Sequence, residues 1–159
     1  MEDVNDIFRN IWSEEESARY MLWTPIMSME EAVDRMSKTI EFQKDRIAYC
    51  VYEKQSGHAI GFAGMKEIDD GVYEDSGIGI GTKFVGRGYG KQILMALVEY
   101  CFEELEATRI ICSCRTENIA SKKMQLSCGF QYSYSQAMTD KRNGLDYTLD
   151  FYELSRNTG

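Results

Sequence analysis

From Ser76 to Val98 the sequence carries no acidic residue, while Lys83, Arg87 and Lys91 stand there at four-residue intervals. Elsewhere acids predominate, with 26 Asp and Glu against 18 Lys and Arg and a net charge of −8. Inside the basic window lies Val85-Gly86-Arg87-Gly88-Tyr89-Gly90-Lys91, between a strand pattern and a long helix pattern. Glycines let backbone N–H groups close round an anion, and a helix N-terminus adds a favourable dipole. The segment therefore suits a diphosphate cradle, with a plain structural turn as the alternative. Spacing excludes two common phosphate loops. Gly90-Lys91 runs into Gln92 with Val85 five residues before Gly90, unlike a Walker A loop, and a dinucleotide fingerprint would need Gly where Lys91 stands.

Other residue types are open to more than one reading. Asp75, on the strand leading into the window, and Glu74, on the other strand face, are carboxylates open to proton transfer, with a solvated strand edge as the plain alternative. Asn118 with Ser121 fits either a helix cap or a ligand contact. His58 is the single histidine, so a His-rich metal site is excluded, and no metal is expected. Cys112-Ser113-Cys114 lacks zinc or redox spacing, and its alternation puts both thiols on one strand face. Nothing singles out any of the five cysteines as a nucleophile. Tyr132, Tyr134, Tyr147 and Tyr152 either line a cleft or cover a sheet.

The elements that must position these residues follow from periodicity. Val4, Ile7, Phe8, Ile11 and Trp12 form one helical face. Ser28 and Glu31, after Pro25, make a capping-box pattern ahead of Met29, Ala32, Val33, Met36 and Ile40. Strands are expected at Ile47–Tyr52, Ala59–Lys66, Val72–Ile80 and Arg109–Cys114. Ile93, Leu94, Leu97, Val98, Cys101, Phe102 and Leu105 mark the strongest helix. Ala120–Cys128 reads as a helix closed by Gly129. Two late strands flank Asn143-Gly144, a two-residue hairpin signal. This order predicts an α+β fold with a mixed sheet flanked by helices.

At 159 residues and 18.3 kDa the chain fits a single domain over residues 1–159. Its 43% hydrophobic residues exclude intrinsic disorder. The acidic balance argues against a nucleic-acid partner. No apolar run is long enough for a membrane span, Met1–Asn10 does not resemble a signal peptide, and reduced thiols fit a cytoplasmic location.

Taken in order, Gly88-Tyr89-Gly90 after a strand, the long helix, a short strand, Asn118-Ile119-Ala120-Ser121 and Gly129-Phe130 resemble the GNAT acetyltransferases. Asp75-Ser76-Gly77-Ile78-Gly79, Arg109-Ile110 and the Asn-x-x-Ser element are similar to the branch that acetylates N-termini of ribosomal proteins. The resemblance runs from Trp12 to about Leu154. It implies a mostly antiparallel sheet flanked by helices, with the family's first strand missing, since this chain starts almost on the first helix. It further implies acetyl-CoA as co-substrate and an amine acceptor, either a protein N-terminus or a small amine. Backbone groups from Val85 and Gly86 through Arg87, Gly88, Tyr89, Gly90 and Lys91 would hold the diphosphate. Ile78, Gly79 and Ile80 would lie beside the pantetheine arm, Asn118 would bond it, and Ser121 would face the sulfur, with Asp75 as base. Many members carry a Tyr acid seven residues after the motif Asn; here that position is Gln125. A non-catalytic acyl-CoA sensor is therefore the alternative, and a scaffold that binds nothing is a third. The edge left by a missing strand favours a homodimer.

Overall fold

A computed structural model describes residues 1–19, 21, 23–44 and 46–157. The chain forms a six-stranded sheet in the order β1-β2-β3-β4-β6-β5, made of β1 (Ile47–Tyr52), β2 (Ala59–Asp69), β3 (Val72–Ile80), β4 (Arg109–Arg115), β5 (Gln131–Thr139) and β6 (Asp146–Ser155). β1/β2, β4/β6 and β5/β6 are antiparallel, whereas β3/β4 is parallel. Among the described residues no strand precedes the first helix. Two compact units divide the chain, one of residues 1–65 and 76–90, the other of residues 66–75 and 91–159.

The first unit is built on an apolar cluster of Val4, Ile7, Ile11, Trp12, Ile26, Ala32, Met36 and Ala59. Its opening helix α1 (Val4–Ile7) widens into a π turn over Phe8–Trp12, where the Ser13 N–H reaches the Phe8 carbonyl at 3.0 Å. The extra residue in that turn leaves Asn10 buried among the apolar side chains, and its Nδ2 donates to the Ala59 carbonyl at 2.9 Å. Asn10 was not legible as a core residue from the 3.6-residue period. A short helix α2 (Glu15–Ala18) follows. Helix α3 (Met29–Gln43) begins where the sequence signals it: Ser28 accepts from the Glu31 N–H at 3.2 Å, while Glu31 turns back to the Met27 N–H.

Two close approaches set β2 against its neighbours, β3 on one side and β1 on the other. A Cβ on Gly61 would lie 2.3 Å from the Gly79 carbonyl oxygen, and one on Gly64 would lie 2.8 Å from the Ile47 carbonyl. β2 runs three residues beyond its expected end at Lys66. Its last four residues are exposed, so burial leaves no periodic trace of them in the sequence.

In the second unit, α4 (Tyr89–Glu103, of which Lys91 onward belongs here) buries Leu94, Leu97 and Cys101, the centre of the expected stripe. Helix α5 spans Ile119–Ser127. The late hairpin differs from the two-residue turn expected at Asn143-Gly144. The Asp140 N–H donates to the Leu145 carbonyl at 2.8 Å, leaving a four-residue loop, Lys141 to Gly144, between them. The Asp140 carboxylate accounts for the longer loop: it accepts from the Arg142 N–H at 2.9 Å and from its guanidinium at 2.8 Å.

Candidate active site

The glycine-rich loop lies in the first unit and enters α4 directly at Tyr89. Gly86 and Gly88 both have φ of +80°, a conformation that L side chains rarely adopt. A Cβ at either position would meet nothing within 4 Å. Conformation, not crowding, therefore selects glycine here, and the space above the loop is open. The first N–H groups of α4 have no carbonyl partner within the helix and so can bind an anion.

The side chains of this loop are anchored by a residue that sequence reasoning missed. Glu53, just past the end of β1, is 6% exposed. Its Oε2 accepts from Arg87 Nη1 at 2.8 Å and from the Tyr89 hydroxyl at 2.8 Å. The Tyr89 and Ser56 hydrogen bonds, then Arg87, hold the Glu53 carboxyl below its ordinary pKa; the same contact raises that of Tyr89. Arg87, one of the three basic residues of the acid-free window, is thus ion-paired. The 34-residue separation from Glu53 concealed this in the sequence. Ile78, Gly79 and Ile80 form the end of β3 in this unit, and a Cβ on Gly79 would lie 2.5 Å from the Phe62 ring.

Asp75, Asn118 and Ser121 belong to the second unit. β3 and β4 pair from Val72↔Arg109 to Glu74↔Ile111. At the next position the Asp75 carboxylate accepts from the Ser113 N–H at 3.0 Å, so a side chain satisfies a ladder donor. Asn118 caps α5, its Oδ1 accepting from the Ser121 N–H at 3.2 Å. Gln125, 3% exposed, extends Nε2 to the Ser121 hydroxyl oxygen at 3.2 Å and toward the Ser113 carbonyl at 3.5 Å. Its Oε1 is buried and has no hydrogen-bond partner among the described residues. Asp75, Ser113, Gln125, Ser121 and Asn118 therefore form one connected polar chain. The Ser121 hydroxyl accepts from Gln125 and also hydrogen-bonds the Cys114 thiol.

Burial raises the pKa of all five cysteines; Cys101 is pushed up to about 11, and Cys112, beside Asp75, is also raised. Thiols held in the neutral form are poor nucleophiles, which disfavours thiolate chemistry. His58 is exposed in its turn, with Nδ1 3.2 Å from Asp6. The described residues contain no cluster of three or more His, Cys, Asp or Glu that could hold a metal, and no helix among them is long and apolar enough to cross a membrane. The tyrosines cover the sheet: Tyr134 stacks on Phe151 at 4.5 Å, Tyr152 is fully buried, and Arg115 lies over Tyr147 at 4.1 Å. A cavity of about 520 Å³ in the second unit is lined by Glu117, Asp140, Asp146 and Asp150 among others. Three of these acids are engaged, Asp140 by Arg142 and Arg115, Asp146 by the Thr139 hydroxyl, and Asp150 by the Ser135 and Thr116 hydroxyls.

Residues 1–131 match the family model described as acetyltransferase (GNAT) domain. The uncharacterized N-acetyltransferase p20 of Bacillus licheniformis is 29% identical over 136 residues, covering 82% of this chain and 75% of the relative. A protein assigned as a ribosomal-protein-serine acetyltransferase from Vibrio cholerae has a TM-score of 0.77 at 23% identity, over 98% of this chain and 89% of that one. The spermidine N-acetyltransferase from Vibrio cholerae, in complex with CoA and spermine, has a TM-score of 0.77 at 18% identity, over 97% and 90%. At these identities both structures speak for the fold.

Proposed function

We propose, from the premise that this chain belongs to the GNAT acetyltransferases, that it transfers acetyl to the primary amine of a protein N-terminus or of a small cationic molecule. As a family member it is an acetyl-CoA-dependent N-acetyltransferase. The observation that carries the reading is the loop from Val85 to Lys91. Two left-handed glycines under open space lead straight into a helix N-terminus, and this supports binding of the diphosphate by backbone N–H groups. Lys83 and Lys91 supply further positive charge.

The chemistry requires a free amine, a polarised thioester carbonyl and a place for the leaving sulfur's charge. In this reading Asp75 takes the ammonium proton, directly or through water. The amine nitrogen attacks the carbonyl carbon, the new C–N bond forms, and the C–S bond breaks. A backbone N–H within Ile78–Ile80 stabilises the oxyanion. Asn118 bonds the pantetheine arm, and the Ser121 hydroxyl, oriented by Gln125, donates to the departing thiolate in place of the family tyrosine. The negative charge of the protein favours a cationic acceptor in encounter. The likeness to a ribosomal-protein-serine acetyltransferase fold accommodates a protein N-terminus, and a spermidine N-acetyltransferase shares the same fold. We place the activity in the cytoplasm, in one domain over residues 1–159, with a homodimer as the form to test by light scattering.

The test is calorimetric titration with acetyl-CoA beside a Gly88→Glu variant, then thiol release with a panel of N-terminal peptides and polyamines. Binding abolished by the added carboxylate, followed by turnover with one acceptor class, is expected. No binding at millimolar acetyl-CoA would reduce the loop to a structural turn.

A further inference from the structure

Among the described residues of the first unit, Glu53 is the one buried carboxylate. Its backbone is pinned on both sides of the turn after β1. The Glu53 N–H donates to the His58 carbonyl at 3.0 Å, and the Glu53 carbonyl accepts from the Gly57 N–H at 2.8 Å. A carboxylate held this firmly is a fixed anchor, and both side chains tied to it come from the glycine-rich loop. Arg87 and Tyr89 are the two neighbours of Gly88, and both bond the same oxygen, Oε2. Arg87 also folds over the start of the loop, with Nη2 3.4 Å from the Lys83 carbonyl and its guanidinium 5.4 Å from the Phe84 ring centre.

This arrangement has two physical consequences. A loop with glycine at 86, 88 and 90 loses more conformational freedom on closing round a ligand than any other composition. Anchoring residues 87 and 89 removes part of that loss before the ligand arrives, which is preorganisation. The second consequence concerns charge. The carboxylate offsets the guanidinium charge, although the Arg87 side chain stays half exposed, so the backbone N–H groups carry more of the pull on an anion.

We infer that Glu53 is a positioning residue for the co-substrate's diphosphate: it holds Arg87 and Tyr89 so that the N–H groups around Gly88 are preset. The inference rests on the diphosphate reading of the loop. It assigns to an acid just past the end of β1, remote in sequence from the loop, part of the affinity for an anion.

The experiment compares affinity for acetyl-CoA with affinity for S-acetylpantetheine, which keeps the thioester arm and lacks the diphosphate, in wild type, Glu53→Ala, Glu53→Gln and Tyr89→Phe. In Glu53→Ala the preference for acetyl-CoA over S-acetylpantetheine falls about tenfold, the scale of one well-placed charged contact. Glu53→Gln, which keeps an acceptor in place, restores part of it, and Tyr89→Phe loses a smaller part. An unmoved preference, with both ligands weakened together, would show a merely structural residue and overturn the inference. Tighter acetyl-CoA binding in Glu53→Ala would also overturn it, because the released guanidinium would then be the phosphate ligand. Should Glu53→Ala fail to fold, Tyr89→Phe carries the same comparison, since it removes one hydroxyl. A wild type without preference for acetyl-CoA would instead refute the diphosphate reading itself, and the inference with it.

Discussion

Replacing Gly88 by Ala separates what the loop does for folding from what it does for binding. Gly88 has φ of +80° and nothing within 4 Å of an added Cβ; Gly144, in the β5–β6 loop, has φ of +72° and is equally open. In the free protein both substitutions therefore carry only the left-handed penalty, about 1–2 kcal/mol for a residue with a Cβ. At this chain length about 1 kcal/mol lowers Tm by roughly 2–4 °C, so each variant melts about 2–8 °C below wild type. Binding divides them. If backbone at 88 closes on a phosphate, a methyl group there costs at least one charge-assisted hydrogen bond, about 1.5–3 kcal/mol. That corresponds to a rise in Kd of roughly 10- to 100-fold. Gly144→Ala should keep wild-type affinity. Differential scanning calorimetry gives the first quantity and isothermal titration with acetyl-CoA the second. Gly88→Ala binding within about twofold of Gly144→Ala would refute the cradle, because open space above the loop would then have no ligand in it.

Three further outcomes test other parts of the structure. Asp75→Asn keeps an oxygen to accept the Ser113 N–H, now 3.0 Å from the carboxylate, so Tm should hold while turnover falls and the pH–rate profile loses its acidic limb; an unchanged profile removes Asp75 from proton transfer. Gly61→Ala places a Cβ 2.3 Å from the Gly79 carbonyl, which no side-chain rotation relieves, so its stability loss should be about 1–3 kcal/mol or more; melting at the wild-type temperature would contradict that close approach. The Asp140 carboxyl is lowered from 3.8 to about 2, chiefly by the Arg142 side chain and N–H. A depressed folded-state pKa stabilises above the unfolded value and loses that effect as pH falls through the folded one. Asp140→Asn should therefore melt below wild type at neutral pH, with the gap closing between pH 3.8 and about 2, followed by thermal melts across that range.

Much of the frame was legible in residues alone. β3 begins and ends where expected, at Val72 and Ile80, because turn residues bracket it on both sides. Ser28 caps α3, and Leu94, Leu97 and Cys101 bury the centre of the α4 stripe, because local hydrogen bonding and a 3.6-residue period are written in adjacent positions. The loop from Val85 to Lys91 was found for the same reason: left-handed backbone requires glycine, and glycine is visible in a sequence. What escaped was of two kinds, local departures from ideal turn and helix geometry and pairings between residues distant along the chain. The turn at Asn143-Gly144 lengthened because the Asp140 carboxylate bonds Arg142. Asn10 entered the core because a π turn shifted the buried face.

The sequence by itself determined the family and its chemistry, through glycines, an Asn-x-x-Ser element and a helix placed in a set order. Only the tertiary structure decided which partners the candidate side chains have. Arg87 looked like a free charge and is paired with Glu53; Gln125 looked like a lost acid and orients Ser121; Asp75 looked like a strand carboxylate and receives the Ser113 N–H. Residue type sets what a group can donate, accept or carry. Which of these it does depends on the partner that folding brings within about 3 Å, and pairs separated by tens of residues leave no periodic or local trace.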